Sequence, residues 1–140
     1  MRFKVNKKTY NIFFAFEPTL KARILSRMAK MSVEISNAEN QLEKIEDMLL
    51  FLPEVILVGL QKHHADEFGY DLDTKEGFEE RKEKVFSLVS EYFDDGEVDC
   101  IDFFNKIQEE MMSEGFLKKT FKKELEKAKE EAEKKTETDS

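Results

Sequence analysis

The chain has 140 residues, 39% of them charged, with 31 acidic against 23 basic side chains and a net charge of −8. That length suits one domain with a modest core, a single cysteine (Cys100) excludes an intrachain disulfide, and the lack of a pronounced basic face argues against a nucleic-acid binder. With 13 Phe, no Trp, 5 Gly and 2 Pro, the composition predicts a helix-dominated fold with a core of Phe, Leu and Ile.

The charge is unevenly placed. Asp66 to Glu114 holds 17 acidic and 5 basic residues, a net of −12, which repels phosphate and favours solubility. The opening MRFKVNKK has no apolar h-region, so a cytosolic protein is expected.

Residues 1–16 alternate. Phe3 and Val5 share a face, then Asn6-Lys7-Lys8 interrupts, then Tyr10, Ile12, Phe14 and Phe16 share another. This period of two around a polar break predicts a β-hairpin. Two strands alone are marginal in water, so the hairpin must pack on helices or lend its edge to another chain. Glu17-Pro18-Thr19 opens a helix, along which Leu20, Ile24, Met28 and Met31 make one apolar stripe. Lys21, Arg23, Arg27 and Lys30 make its other side basic, and these are expected to be solvated or to answer the chain's own acids. Ser36-Asn37-Ala38-Glu39 fits the S-x-x-E capping box and predicts the start of a helix carrying Leu42, Ile45, Met48, Leu49 and Leu52.

The most apolar run is Met48–Leu60, MLLFLPEVILVGL. It is too short and too interrupted to span a bilayer, which takes about 20 apolar residues. Pro53 predicts that one helix stops near Leu52 and that a second, apolar nearly all round, starts there. This run is the expected core. Gly69 then ends a helix, and Asp73 with Glu76 is expected to cap the next. That helix carries Phe78, Lys82, Val85, Phe86, Val89, Tyr92 and Phe93 and ends at Asp94-Asp95-Gly96. Asp99 caps a further helix with Cys100, Phe103, Phe104, Ile107 and Met111, stopping near Gly115. Phe116, Leu117, Phe121 and Leu125 extend an apolar stripe. The run KAKEEAEKKTETDS beyond them has no apolar stripe to bury and is expected to fray. The expected fold is mainly α (α+β), with a single domain over 1–121 and a charged tail over 122–140. Within that domain a hairpin at 1–16 precedes a helical core of about five helices at 17–115.

Candidate chemistry is sparse. His63-His64 with Asp66 and Glu67 hints at a metal, but adjacent histidines point about 100° apart on a helix and the chain has only these 2 His. Asp71-Leu72-Asp73-Thr74-Lys75-Glu76-Gly77 fails as a calcium loop, because Lys75 and Glu76 stand where an oxygen ligand and a glycine are required. Cys100 lies on an apolar stripe without a nearby base, as a small hydrophobe rather than a nucleophile. Met28, Met31, Met48, Met111 and Met112 sit on or beside apolar stripes, where core filling is the plainer reading than a Met-rich groove. No catalytic residue, cofactor or metal is assigned, and no enzyme activity is expected.

Three stretches carry a resemblance: MRFKVNKKTYNIFFAFEPTL, then FLPEVILVGLQKHHADEFGYDLDTKEG, then VFSLVSEYFDDGEVDCIDFFNKIQEEMMSEGFL. In order and spacing they resemble the tail assembly chaperones of long-tailed bacteriophages of Gram-positive hosts, over residues 1 to about 121. The middle stretch is the most specific. The resemblance implies non-enzymatic work in the host cytoplasm: binding and solubilising the long helical tape measure protein, and recruiting tail tube subunits around it. It implies self-association into several copies and absence from the finished virion; the charge and the short apolar run leave no nucleic-acid or membrane partner expected. It also implies a frameshift-extended minor form, for which Glu133-Lys134-Lys135 is a candidate slippage region. The residues expected to meet the client or neighbouring copies are Phe13, Phe116, Leu117 and Phe121, which have the least evident intrachain partner. The alternative is a small acidic regulator, an anti-repressor or DNA mimic, drawing on the acidic middle segment.

Overall fold

A computed structural model describes residues 1–37, 39, 41–113, 115–118, 120 and 126–127. Strands β1 (Arg2–Val5) and β2 (Lys8–Asn11) pair antiparallel, Phe3 opposite Tyr10 and Val5 opposite Lys8. The loop between them is two residues, Asn6 and Lys7, both at positive φ (50° and 69°), the mirror-image turn whose twist matches that of paired strands. Phe3, Val5 and Tyr10 are buried, so one face of the hairpin is core. The strands are shorter than the predicted 1–16: Ile12 and Phe14 continue buried beyond β2, but Phe16 already belongs to a helix.

That helix, α1 (Phe16–Lys21), is followed by α2 (Ile24–Asn37) after a break at Ala22 and Arg23, where Arg23 takes φ 54°. The single stripe predicted across this region is therefore divided. Ile24 and Met28 are buried while Leu20 is exposed. Ser36 is a residue of α2, so the predicted capping box does not open the next helix.

Helix α3 (Gln41–Gly59) runs without interruption through Pro53, which corrects the expected stop at Leu52 and restart at Pro53. A proline inside a helix costs about 3 kcal/mol through its missing N–H and its clash with the carbonyl four residues back. Met48, Phe51 and Leu52 before it and Val55 to Val58 after it are all buried. At about 1.5–3 kcal/mol for each such side chain, holding both halves in one core outweighs the proline. The full burial of Val55, Ile56, Leu57 and Val58 places α3 at the centre.

Helix α4 (Ala65–Phe68) is one turn, α5 (Phe78–Asp95) lies along α3, and α6 (Cys100–Ser113) follows. Asp99 caps α6, its Oδ1 accepting from Ile101 N at 2.8 Å and Asp102 N at 3.2 Å. The predicted cap of α5 by Asp73 is not formed. Gly77, at φ 82°, takes the N-cap position, where a side chain would be strained, and Asp73 instead meets Lys21. The rings of Phe3, Tyr92, Phe93 and Phe103 pack with centroids 5.2–5.7 Å apart, joining hairpin, α5 and α6. Offset and edge-on pairs of this kind add about 0.5–1.5 kcal/mol beyond burial. The molecule is mainly α with an N-terminal antiparallel hairpin, as the sequence predicts, with six helices among the described residues rather than about five.

Candidate partner-binding surface

The chain leaves β2 and crosses the end of α3 at close range. Phe13 N donates to Gly59 O at 2.9 Å, and a Cβ at Gly59 would stand 2.6 Å from Ile12 Cγ2. This crossing buries Ile12 and Phe14 and turns Phe13 the other way, with strand-like alternation. Phe13 is half-buried. Its ring has Lys62 Nζ 4.6 Å above it and His63 edge-on at 6.1 Å, and it lies against the bare Cα of Gly115. Three residues on, Phe16 is 63% exposed, its ring edge-on to Phe116 with centroids 5.0 Å apart. Leu20, one helical turn beyond Phe16 on the same face of α1, is also exposed. Phe13, Phe16, Leu20 and Phe116 thus form an apolar surface where the N-terminal connector meets the chain after α6. Patches of this kind on a folded chain mark interaction sites.

Of the four residues predicted to meet a partner, Phe13 and Phe116 lie in this patch, both partly buried. Leu117 does not. It is fully buried in the core, so the premise that it lacks an intrachain partner fails; one residue from Phe116, it points about 100° further round the same helical turn. Phe121, Leu125 and nearly all of the tail over 122–140 lie outside the described residues. Phe16 and Leu20 are the members that sequence reasoning missed. Their signal was the i, i+4 spacing across Pro18, hidden because Phe16 continued the hairpin alternation and Leu20 the α2 stripe. Two further exposed leucines, Leu42 and Leu50, lie on α3.

The two histidines diverge. His63 is exposed beside Phe13, whereas His64 Nε2 accepts the backbone N–H of Asn11 at 2.9 Å and its ring lies 5.3 Å from that of Tyr10. Burial, then the Lys8 ammonium, pushes the His64 pKa below the usual imidazole value, against the pull of Asp66 and Glu67. The neutral ring is also what the hydrogen bond requires, since protonated imidazole has no acceptor. Among the described residues no group of three or more His, Cys, Asp or Glu is placed to hold a metal ion. Asp71 Oδ1 is taken by the N–H groups of Asp73 and Thr74 at 2.8 and 3.1 Å, which with the Thr74 bond foremost lowers its pKa. Burial, reinforced by Asp99, raises the Cys100 thiol pKa, away from the thiolate form that reacts.

Part of the basic strip does answer the chain's own acids. Arg27 makes a two-pronged contact with Glu54, Nη1–Oε1 2.5 Å and Nη2–Oε2 2.7 Å, and its guanidinium stacks 4.5 Å over Phe51. Lys21 meets Glu17 and Asp73. Met28, Met48 and Met111 are buried and so fill core. An open groove without methionine is walled by Glu17, Asp71, Glu76, Glu80 and Arg81 around Tyr70. Among the described residues no helix is long and apolar enough to cross a membrane. No family model matches the chain, and neither does any curated protein or solved structure.

Proposed function

We propose that this chain is a tail assembly chaperone of a long-tailed bacteriophage, which binds and solubilises the helical tape measure protein in the host cytoplasm. It recruits tail tube subunits, partly through a frameshift-extended form, associates with further copies of itself, and leaves before the virion is complete. The observation that carries this reading is the apolar surface of Phe13, Phe16, Leu20 and Phe116. An exposed Phe forgoes about 1.5–3 kcal/mol of burial, and an amphipathic client helix laid on the patch would supply that burial. The stretches named above supply the identity of the client. Co-expression with fragments of the tape measure protein tests it. The wild-type chain should carry a fragment into the soluble fraction and co-purify with it, and Phe16→Ser with Leu20→Ser should lose both effects. Failure to solubilise any fragment counts against the reading. A second reading, an acidic regulator, draws on the exposed Glu79, Glu80, Glu83 and Glu91 of α5; capture of a basic DNA-binding protein would favour it.

A further inference from the structure

The first 16 residues carry four basic side chains, Arg2, Lys4, Lys7 and Lys8, and no acid, in a chain of net charge −8. Folding puts Arg2 and Lys4 together on the outer face of the hairpin, while Lys8, opposite Val5, falls on the other face. Phe3, Val5 and Tyr10 face the core, so Arg2 and Lys4 face outward from β1 and Lys7 stands at the turn, all three exposed. Lys8 is paired with Glu67; no ion pair engages Arg2, Lys4 or Lys7 among the described residues. The main chain at the same place is also open. Ile12 N donates to Met1 O at 2.8 Å, which in the observed register makes Phe3–Tyr10 and Val5–Lys8 the mutually bonded pairs. The N–H and C=O groups of Arg2 and Lys4 therefore point away from β2. The outer edge of β2 is covered by Asn11 N–H on His64 and Phe13 N–H on Gly59, whereas Arg2 and Lys4 have no main-chain partner among the described residues. Such an edge accepts an added strand.

Charge decides which strand. Two β1 edges paired with each other would bring Arg2 and Lys4 of both copies to about 5 Å across the strands, where like charges repel. An acidic segment outside regular structure has the opposite fit, and this chain carries one at 96–99. The end of α5 and the link to α6 run Asp94-Asp95-Gly96-Glu97-Val98-Asp99, with Gly96 extended (φ −105°, ψ 163°) just after the helix and the four carboxylates on exposed residues. Glu97 and Asp99 are two residues apart, as are Arg2 and Lys4, so in a strand pair each doublet lies on one face. We propose that the free edge of β1 receives the Gly96–Asp99 segment of a second copy of this chain as a charge-matched added strand. This rests on the self-association in the proposed function and is independent of the client.

Light scattering with charge reversal tests it. The wild type should exceed monomer mass at low salt and fall toward it in about 0.5 M salt, where charges are screened beyond a few ångströms. Arg2→Glu with Lys4→Glu, and separately Glu97→Lys, should each weaken association at least tenfold. Asp99 is left alone because it caps α6. Mixing the two reversed variants should restore association, which also shows that both have folded. A wild-type monomer at low salt, association indifferent to both reversals, or a mixture that stays monomeric would overturn the inference. If the same reversed variants still solubilise tape measure fragments, the client reading stands without it; if association follows the charges but no fragment is held, the client reading alone fails.

Discussion

At His64 a single ring joins the hairpin to the end of the central helix, and it can do so only while neutral, because Nε2 must accept from Asn11 N–H. Its folded-state pKa is lowered, chiefly by burial, so the unfolded chain binds more protons in the window below the ordinary imidazole value of about 6.5. The stability held through His64 is therefore complete above that value and is lost as pH falls through the window toward the lowered folded value. Thermal melts from neutral to mildly acidic pH should show a decline that His64→Gln, which never charges, largely removes; an unchanged slope in the variant would refute the assignment. Gly59 shows the opposite kind of constraint. Alanine there gains about 1 kcal/mol of helix propensity but sets its Cβ 2.6 Å from Ile12 Cγ2. Ile12 is buried and stiff at χ1, so overpacking of about 1–3 kcal/mol wins. Gly59→Ala should lower the urea midpoint at unchanged slope. Neither role is visible in the sequence. Gly59 sits unmarked inside an apolar run, and an HH pair reads as a weak metal signal, because the partners lie 47 and 53 positions away.

Elements were legible where periodicity was strong and local. The alternation of the first residues as far as Phe14, the stripe of α5 apart from the exposed Phe86, and the Asp99 cap of α6 appear as predicted. The misreadings come from local signals that the helices do not follow, or from a break that no signal announces. Pro53 reads as a boundary, yet the core keeps α3 whole. Ser36 reads as a cap, yet α2 runs on to Asn37. The break at Arg23 has no glycine or proline to announce it, only a positive φ at a residue that tolerates it poorly. For α3 the magnitudes give a test. Alanine at 53 regains about 3 kcal/mol of helix stability and loses two or three buried methylenes at about 0.8 kcal/mol each. Pro53→Ala should therefore stabilise the protein by about 1 kcal/mol in a denaturant titration. A loss of stability would mean that the ring's packing, and not its backbone cost, governs that position.

For the molecule as a whole, fold class followed from composition and periodicity, but the surface did not. Phe13 and Phe116 do reach the surface, though each has ring contacts within the chain, while Leu117 is core, because stripes do not say which side of a final turn faces inward. Phe16 and Leu20 emerge only once α1 separates from α2, and the basic outer face of the hairpin only once Phe3 and Val5 turn in. The central claim is that the patch of Phe13, Phe16, Leu20 and Phe116 holds a helical client. Backbone hydrogen exchange of the chain, free and bound to a soluble amphipathic fragment of the tape measure protein, tests it most directly. The account predicts slowed exchange over residues 13–20 and 115–118 on binding, and little change along the buried centre of α3. Protection confined to α5 and the acidic segment after it, or none anywhere, would contradict the account.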